Sequence, residues 1–176
     1  LMYQAISNKI RPSAFVLGTG TGGTLMGAGE TLKNFYYDME IVAVEPSESP
    51  VMSGGESGLH GIQGIGDGSK FMVDLDFVDH IITISTEEAT QMSRRLSKDY
   101  GIFVGISAGA NVLASVKYGQ KFDKTNIYVV TPAVDIRGAL NFKKDDPEFG
   151  DSWQADVFVK VKVPKKDNPV ECTAFF

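Results

Sequence analysis

Four glycines fall within six residues in Gly18-Thr19-Gly20-Thr21-Gly22-Gly23-Thr24, between the apolar run Ala14-Phe15-Val16-Leu17 and a helical pattern that starts at Leu25. Glycine lets a backbone turn sharply and approach a ligand with no Cβ in the way. The free N–H groups of a helix's first turn, with the macrodipole behind them, meet an anion. Thr21 and Thr24 add hydroxyl donors. So many glycines are costly in backbone entropy unless a ligand needs them. The stretch reads as a phosphate cradle.

Two further glycine-rich turns can join it. Gly105-Ile106-Ser107-Ala108-Gly109 sets one hydroxyl among small residues, against which a flat ring could lie. A neutral hydroxyl facing an aromatic ring nitrogen leaves that nitrogen unprotonated, whereas a carboxylate would favour the protonated form. Residues 46–69 carry seven of the 19 glycines. Loops longer than about 12–15 residues in a compact domain are usually functional. Val51, Met52, Leu59, Ile62 and Ile65 are spread through this one, which predicts an ordered loop packed over a sheet edge.

Spacing alone leaves the phosphate open. Gly18-x-Gly20-x-x-Gly23 also matches the dinucleotide fingerprint, with Glu45 at the end of the next strand where an acidic residue binds a ribose hydroxyl. That reading makes the chain a non-catalytic module for NAD or a nucleotide. The extra Gly22 and the two threonines instead crowd one compact anion, as a phosphate monoester requires.

The elements that must position these turns alternate regularly. Apolar strands are predicted at 14–17, 41–44, 80–84, 102–104 and 127–131, and helices at 24–35, 86–100 and 108–118. Ser85 and Glu88 form a capping box and Gly101 a helix stop. Residues 1–10 read as the end of a helix, which suggests that something upstream is absent. Buried strands alternating with helices mean α/β: three layers, a mostly parallel sheet with helices on both faces. In such a sheet ligands bind beyond the carboxyl ends of the strands, where all three glycine turns lie. Residues 1–131 are expected to form this phosphate-binding domain, and 132–176 a divergent tail packed on it or extending from it. In that tail, 143–148 reads as a solvated charge run and 156–164 as an edge strand of alternating valines guarded by lysines.

The chain has 176 residues, 43% hydrophobic and 22% charged, which suits one domain with a real core. A net charge of −5 argues against nucleic acid or an anionic membrane surface as partner. The single Cys172 allows neither an intrachain disulfide nor a cysteine-built metal site. No apolar run approaches the roughly 20 residues of a membrane span, and no signal peptide is visible. The expected location is cytoplasmic, with no metal.

Three motifs, in order and spacing, resemble one family. They are Gly20-Thr21-Gly22-Gly23-Thr24, then Val44-Glu45-Pro46 with Gly61-Ile62-Gln63-Gly64-Ile65-Gly66-x-Gly68, then Gly105-Ile106-Ser107-Ala108-Gly109-Ala110. Together they are similar to the cysteine synthase (O-acetylserine sulfhydrylase) and cystathionine β-synthase family, pyridoxal-phosphate enzymes of the tryptophan-synthase-β fold. The resemblance implies that Gly20, Thr21, Gly22, Gly23 and Thr24 hold the phosphate of pyridoxal 5′-phosphate and that Ser107 hydrogen-bonds the pyridine nitrogen. It implies that Gly64, Ile65 and Gly66 line the substrate side, and that Glu45 is structural. His60 and Gln63 are read as loop packing, His80 as structural and Lys70 as solvated. The implied reaction is β-replacement on a small amino acid, O-acetylserine and sulfide giving cysteine and acetate. The family's Schiff-base lysine and its substrate-carboxylate loop are not recognisable here. The chain is therefore expected to be the C-terminal half of such an enzyme, with no catalytic residue of its own and inactive alone, and to form a homodimer or pair with the missing half.

Overall fold

Strands whose apolar runs are continuous need cover on both faces. The computed structural model describes residues 6, 11–120, 126–130, 135–146 and 150–160, and it gives the first two of these strands that cover, whereas in the third, 80–84, only Ile84 is buried. β1 (Ala14–Gly18) is buried throughout, and β2 (Glu40–Pro46) from Ile41 onward. They pair in parallel, Val16 opposite Val42, and β2 pairs in parallel with β3 (His80–Ile84). On its other side β1 pairs in parallel with β4 (Asn126–Val130). Two antiparallel strands, β5 (Asp135–Asp146) and β6 (Gly150–Lys160), extend the sheet to the order β3-β2-β1-β4-β5-β6.

Alternation along β1 and β2 splits the core into two layers. Phe15, Leu17, Ile41 and Ala43 meet Leu25 and Leu32 of α1 (Gly23–Phe35). Ala14, Val16, Val42 and Val44 meet Ala110, Ala114 and Tyr118 of α3 (Ile106–Gly119) on the opposite face. Each fully buried Phe, Leu or Ile in these layers contributes about 1.5–3 kcal/mol, more than any single surface contact. α2 (Thr86–Tyr100) covers α3, with Met92 and Leu96 against Ala108. A Cβ built on Gly109 would lie 2.3 Å from the Ala89 carbonyl oxygen, so glycine there lets the two helices touch backbone to backbone. The small residues at 108–110 thus serve helix and sheet packing.

α2 starts on the expected capping box: the Glu88 N–H donates to Ser85 Oγ at 3.2 Å, and the Ser85 N–H to Glu88 Oε2 at 2.9 Å. Lys117 of α3 donates to Glu88 Oε1 at 2.7 Å, and with Ser85 it holds the Glu88 carboxyl down to about 2. Gly101, at φ 68°, ends the helix in the left-handed conformation.

Some expectations change. Residues 102–104 form no strand: the Ile102 N–H donates back to Leu96, and Ser93 Oγ donates to the Val104 carbonyl. Those bonds replace a ladder while Ile102 and Val104 pack under α2. α3 begins at Ile106, so Ser107 lies in its first turn. Leu59 is fully exposed, whereas Met52, Ile62 and Ile65 are buried. Residues 143–146 of the expected charge run belong to β5, and the alternating valines up to Lys160 belong to β6, the edge strand. Residues 1–5, 7–10, 147–148 and 161–164 of those readings, and Cys172, lie outside the described residues.

The long loop is stitched down by polar groups, one of them buried. Glu45, 2% exposed, accepts from the Met52 N–H at 2.7 Å, the Ser53 N–H at 3.0 Å and the Ser53 hydroxyl. Further on, Thr86 Oγ1 accepts from the Gly61 N–H at 2.8 Å, and the Thr86 N–H donates to Glu48. Connectivity then places the site. From β1 the chain moves to β2 and β3 on one side, then returns through α2 and α3 to β4 on the other. The switch point lies between β1 and β4, and the Gly18–Gly23 turn leaves the carboxyl end of β1 there.

Candidate anion and cofactor site

The turn after β1 is held open by three neighbours. The Gly18 N–H donates to buried Asn111 Oδ1 of α3 at 2.7 Å. The Gly66 N–H donates to the Thr19 carbonyl at 2.8 Å, and the Met72 N–H to the Thr21 carbonyl at 3.1 Å. Gly22 then caps α1 at φ 88°, a conformation that glycine adopts without strain. No side chain bonds to this cap, and no acidic residue stands in the first turn. The amides that open α1 are left for a ligand.

They open on a cleft of about 270 Å³ lined by Leu17, Gly18, Thr19, Gly20, Thr21, Gly22, Thr24, Leu25, Gly64 and Asp67. The cradle is as tight as glycine allows. A Cβ on Gly20 would sit 2.9 Å from the Gly64 carbonyl oxygen, and one on Gly22 would sit 2.6 Å from Val73 Cγ2. Exposed Thr21 and Thr24 put hydroxyls at its rim. These donors, with no side chain in their way, fit a phosphate group.

The structure brings Gly20, Thr21, Gly22, Thr24 and Gly64 together at the cleft, with Gly23 as the first residue of α1. Ile65 turns inward, its side chain within 2.8 Å of a Cβ built on Gly18, and Gly66 meets Pro46 and His60. His60 Nε2 lies 2.9 Å from the Gly66 carbonyl oxygen, a packing role. Ser107 does not line the cleft; it is 7% exposed in the first turn of α3. It precedes Asn111 by one helical turn, on the face that holds Gly18, so the two helix N-termini share one rim of the sheet. Asn111 and Asp67 escaped the reading of the sequence. Their signals were a polar residue four after Ser107 and a carboxylate between two loop glycines.

Glu45 is buried in the structure, not offered to a ribose: it is 2% exposed and accepts from residues 52 and 53. His80 begins β3 and pairs with Glu40 at 3.0 Å, at the amino ends of the strands and away from the cleft; Tyr118 also donates to Glu40. Lys70 is exposed. Among the described residues no cluster of three His, Cys, Asp or Glu side chains could hold a metal, and no helix is long and apolar enough to cross a membrane.

Fold and site define a class: an open α/β protein whose switch-point cleft offers uncapped helix amides to an anion. A family model described as "Pyridoxal-phosphate dependent enzyme" matches residues 2–132, and the chain belongs to that family. It is 46% identical over 112 residues to a cysteine synthase of Staphylococcus aureus, covering 63% of this chain and 36% of that protein. Against cysteine synthase B of Campylobacter jejuni the identity is 45% over 116 residues, covering 64% and 38%. The crystal structure of a cysteine synthase from Entamoeba histolytica matches with a TM-score of 0.64 at 40% identity, over 66% of this chain and 35% of that one. The chain thus spans little more than a third of the length of these relatives. β5 and β6 fall beyond the matched residues.

Proposed function

We propose that this chain supplies the phosphate- and pyridine-binding part of a cysteine synthase-type enzyme that makes cysteine and acetate from O-acetylserine and sulfide. The observation that carries the reading is the uncapped start of α1 at the switch-point cleft, in a chain of the pyridoxal-phosphate family. Pyridoxal phosphate, when bound, supplies an electron sink for bond breaking at an amino acid's Cα. The N–H groups of Gly22 to Thr24 and the hydroxyls of Thr21 and Thr24 bind its phosphate. Ser107 presents a neutral hydroxyl to the ring nitrogen and keeps it unprotonated. Gly64 to Gly66 form the loop on the substrate side.

Among the described residues no lysine lines the cleft. In this reading the lysine that carries the cofactor comes from another part of the whole enzyme, and this chain alone makes no cysteine. Residues 1–131 act as the binding domain with 132–176 as an added tail, and the assembly is a cytoplasmic homodimer or a pairing with the complementary half.

Thermal unfolding of the full chain with pyridoxal phosphate or with NAD tests the reading, alongside an assay of cysteine formation. Protection by pyridoxal phosphate without turnover is expected. Protection by NAD alone would replace it with a nucleotide-binding module, and turnover by this chain would refute the absence of its lysine.

A further inference from the structure

The cleft has one feature that an anion site does not need. Asp67, exposed between Gly66 and Gly68, lines it beside Gly20, Thr21 and Thr24. Its Oδ2 lies 3.5 Å from a Cβ built on Gly20, which puts the carboxylate over the turn whose amides face the ligand. No hydrogen bond or ion pair among the described residues engages it. Among the described residues no Lys, Arg or His lines the cleft to offset its charge. A fixed negative charge penalises an occupant in proportion to the occupant's own charge. A phosphate monoester carries at most two negative charges, and a pyrophosphate or longer chain carries more at the same place.

We propose that Asp67 is a specificity-determining residue of the cradle, rejecting pyrophosphate and longer polyphosphates in favour of a phosphate monoester. The inference rests on reading the cleft as a phosphate site.

Calorimetric titration of the full chain with inorganic phosphate and with inorganic pyrophosphate tests this, comparing the parent with Asp67→Asn and Asp67→Glu. At low ionic strength, about 0.01 M, Asp67→Asn is expected to tighten phosphate about threefold and pyrophosphate about tenfold. Asp67→Glu, which keeps the charge, should bind both as the parent does. Near 1 M salt, where the screening length falls to about 3 Å, the differences should vanish. Equal tightening of both anions, or none while phosphate still binds, would overturn the role of Asp67. If neither anion binds any of the three proteins, the phosphate reading of the cleft falls first and the proposal with it.

Discussion

Two helices of this protein begin in opposite ways. α2 closes its own N-terminus: Ser85 and Glu88 exchange hydrogen bonds, Glu87 and Glu88 place negative charge in the first turn, and Glu48 accepts the Thr86 N–H at 2.8 Å. α1 begins on Gly22 with no side-chain cap and no acidic residue in its first turn, and α3 likewise begins on an uncapped glycine, Gly105. Capping a helix stabilises it by about 1 kcal/mol, so leaving two ends uncapped sacrifices stability the chain could have had. The difference separates amides closed by side chains from amides left open. Both open ends lie on the carboxyl rim of the sheet, beside the switch point between β1 and β4.

Substitutions can break this contrast, and the largest effect is expected at Gly22. Alanine there must adopt φ 88° with its Cβ 2.6 Å from Val73 Cγ2. Gly22→Ala should cost about 2–3 kcal/mol in urea unfolding and abolish measurable phosphate binding. Next is Glu45→Ala, which strands the buried N–H of Met52 and the N–H of Ser53. A loss of about 2 kcal/mol is expected, with the long loop more open to proteolysis than the helices. Ser85→Ala removes one half of the α2 cap and should cost about 1 kcal/mol while leaving phosphate affinity unchanged. If Ser85→Ala weakened phosphate binding as Gly22→Ala does, the division between the two helix ends would fail.

The smallest effect concerns pH. The Glu88 carboxyl is lowered from 4.5 to about 2 by its bonds to Lys117 and Ser85. A carboxyl lowered on folding adds stability that is full above the unfolded value and is lost as pH falls toward the folded one. Its contribution should therefore fade between about pH 4.5 and 2. Glu88 and Lys117 are partly exposed, so the contribution is below about 1 kcal/mol. Urea midpoints across that window should fall less for Glu88→Gln than for the parent.

What could be read from the sequence follows the same contrast. The capping box at Ser85 and Glu88 was visible because both partners stand three residues apart, and the cradle was visible because its glycines are contiguous. The buried strands β1 and β2 showed as apolar runs. Contacts made only by tertiary approach left no local mark. Asn111 reaches Gly18 across 93 residues, and Asp67 meets Gly20 only because the long loop folds back over the turn. Residues 102–104 have the composition of a strand, but helix ends took their hydrogen bonds. β5 eluded reading because its polar residues follow no clean alternation, and only pairing with β4 and β6 makes it a strand.

The open end of α1 is proposed to hold a cofactor phosphate. Thermal unfolding of the full chain with pyridoxine 5′-phosphate, against unphosphorylated pyridoxine, tests it without an aldehyde to react with surface lysines. At a concentration 100 times its dissociation constant the phosphorylated ligand should add about 2.7 kcal/mol of stability. Pyridoxine should add almost none, and Gly22→Ala should lose the difference. Equal protection by the two ligands would contradict the claim.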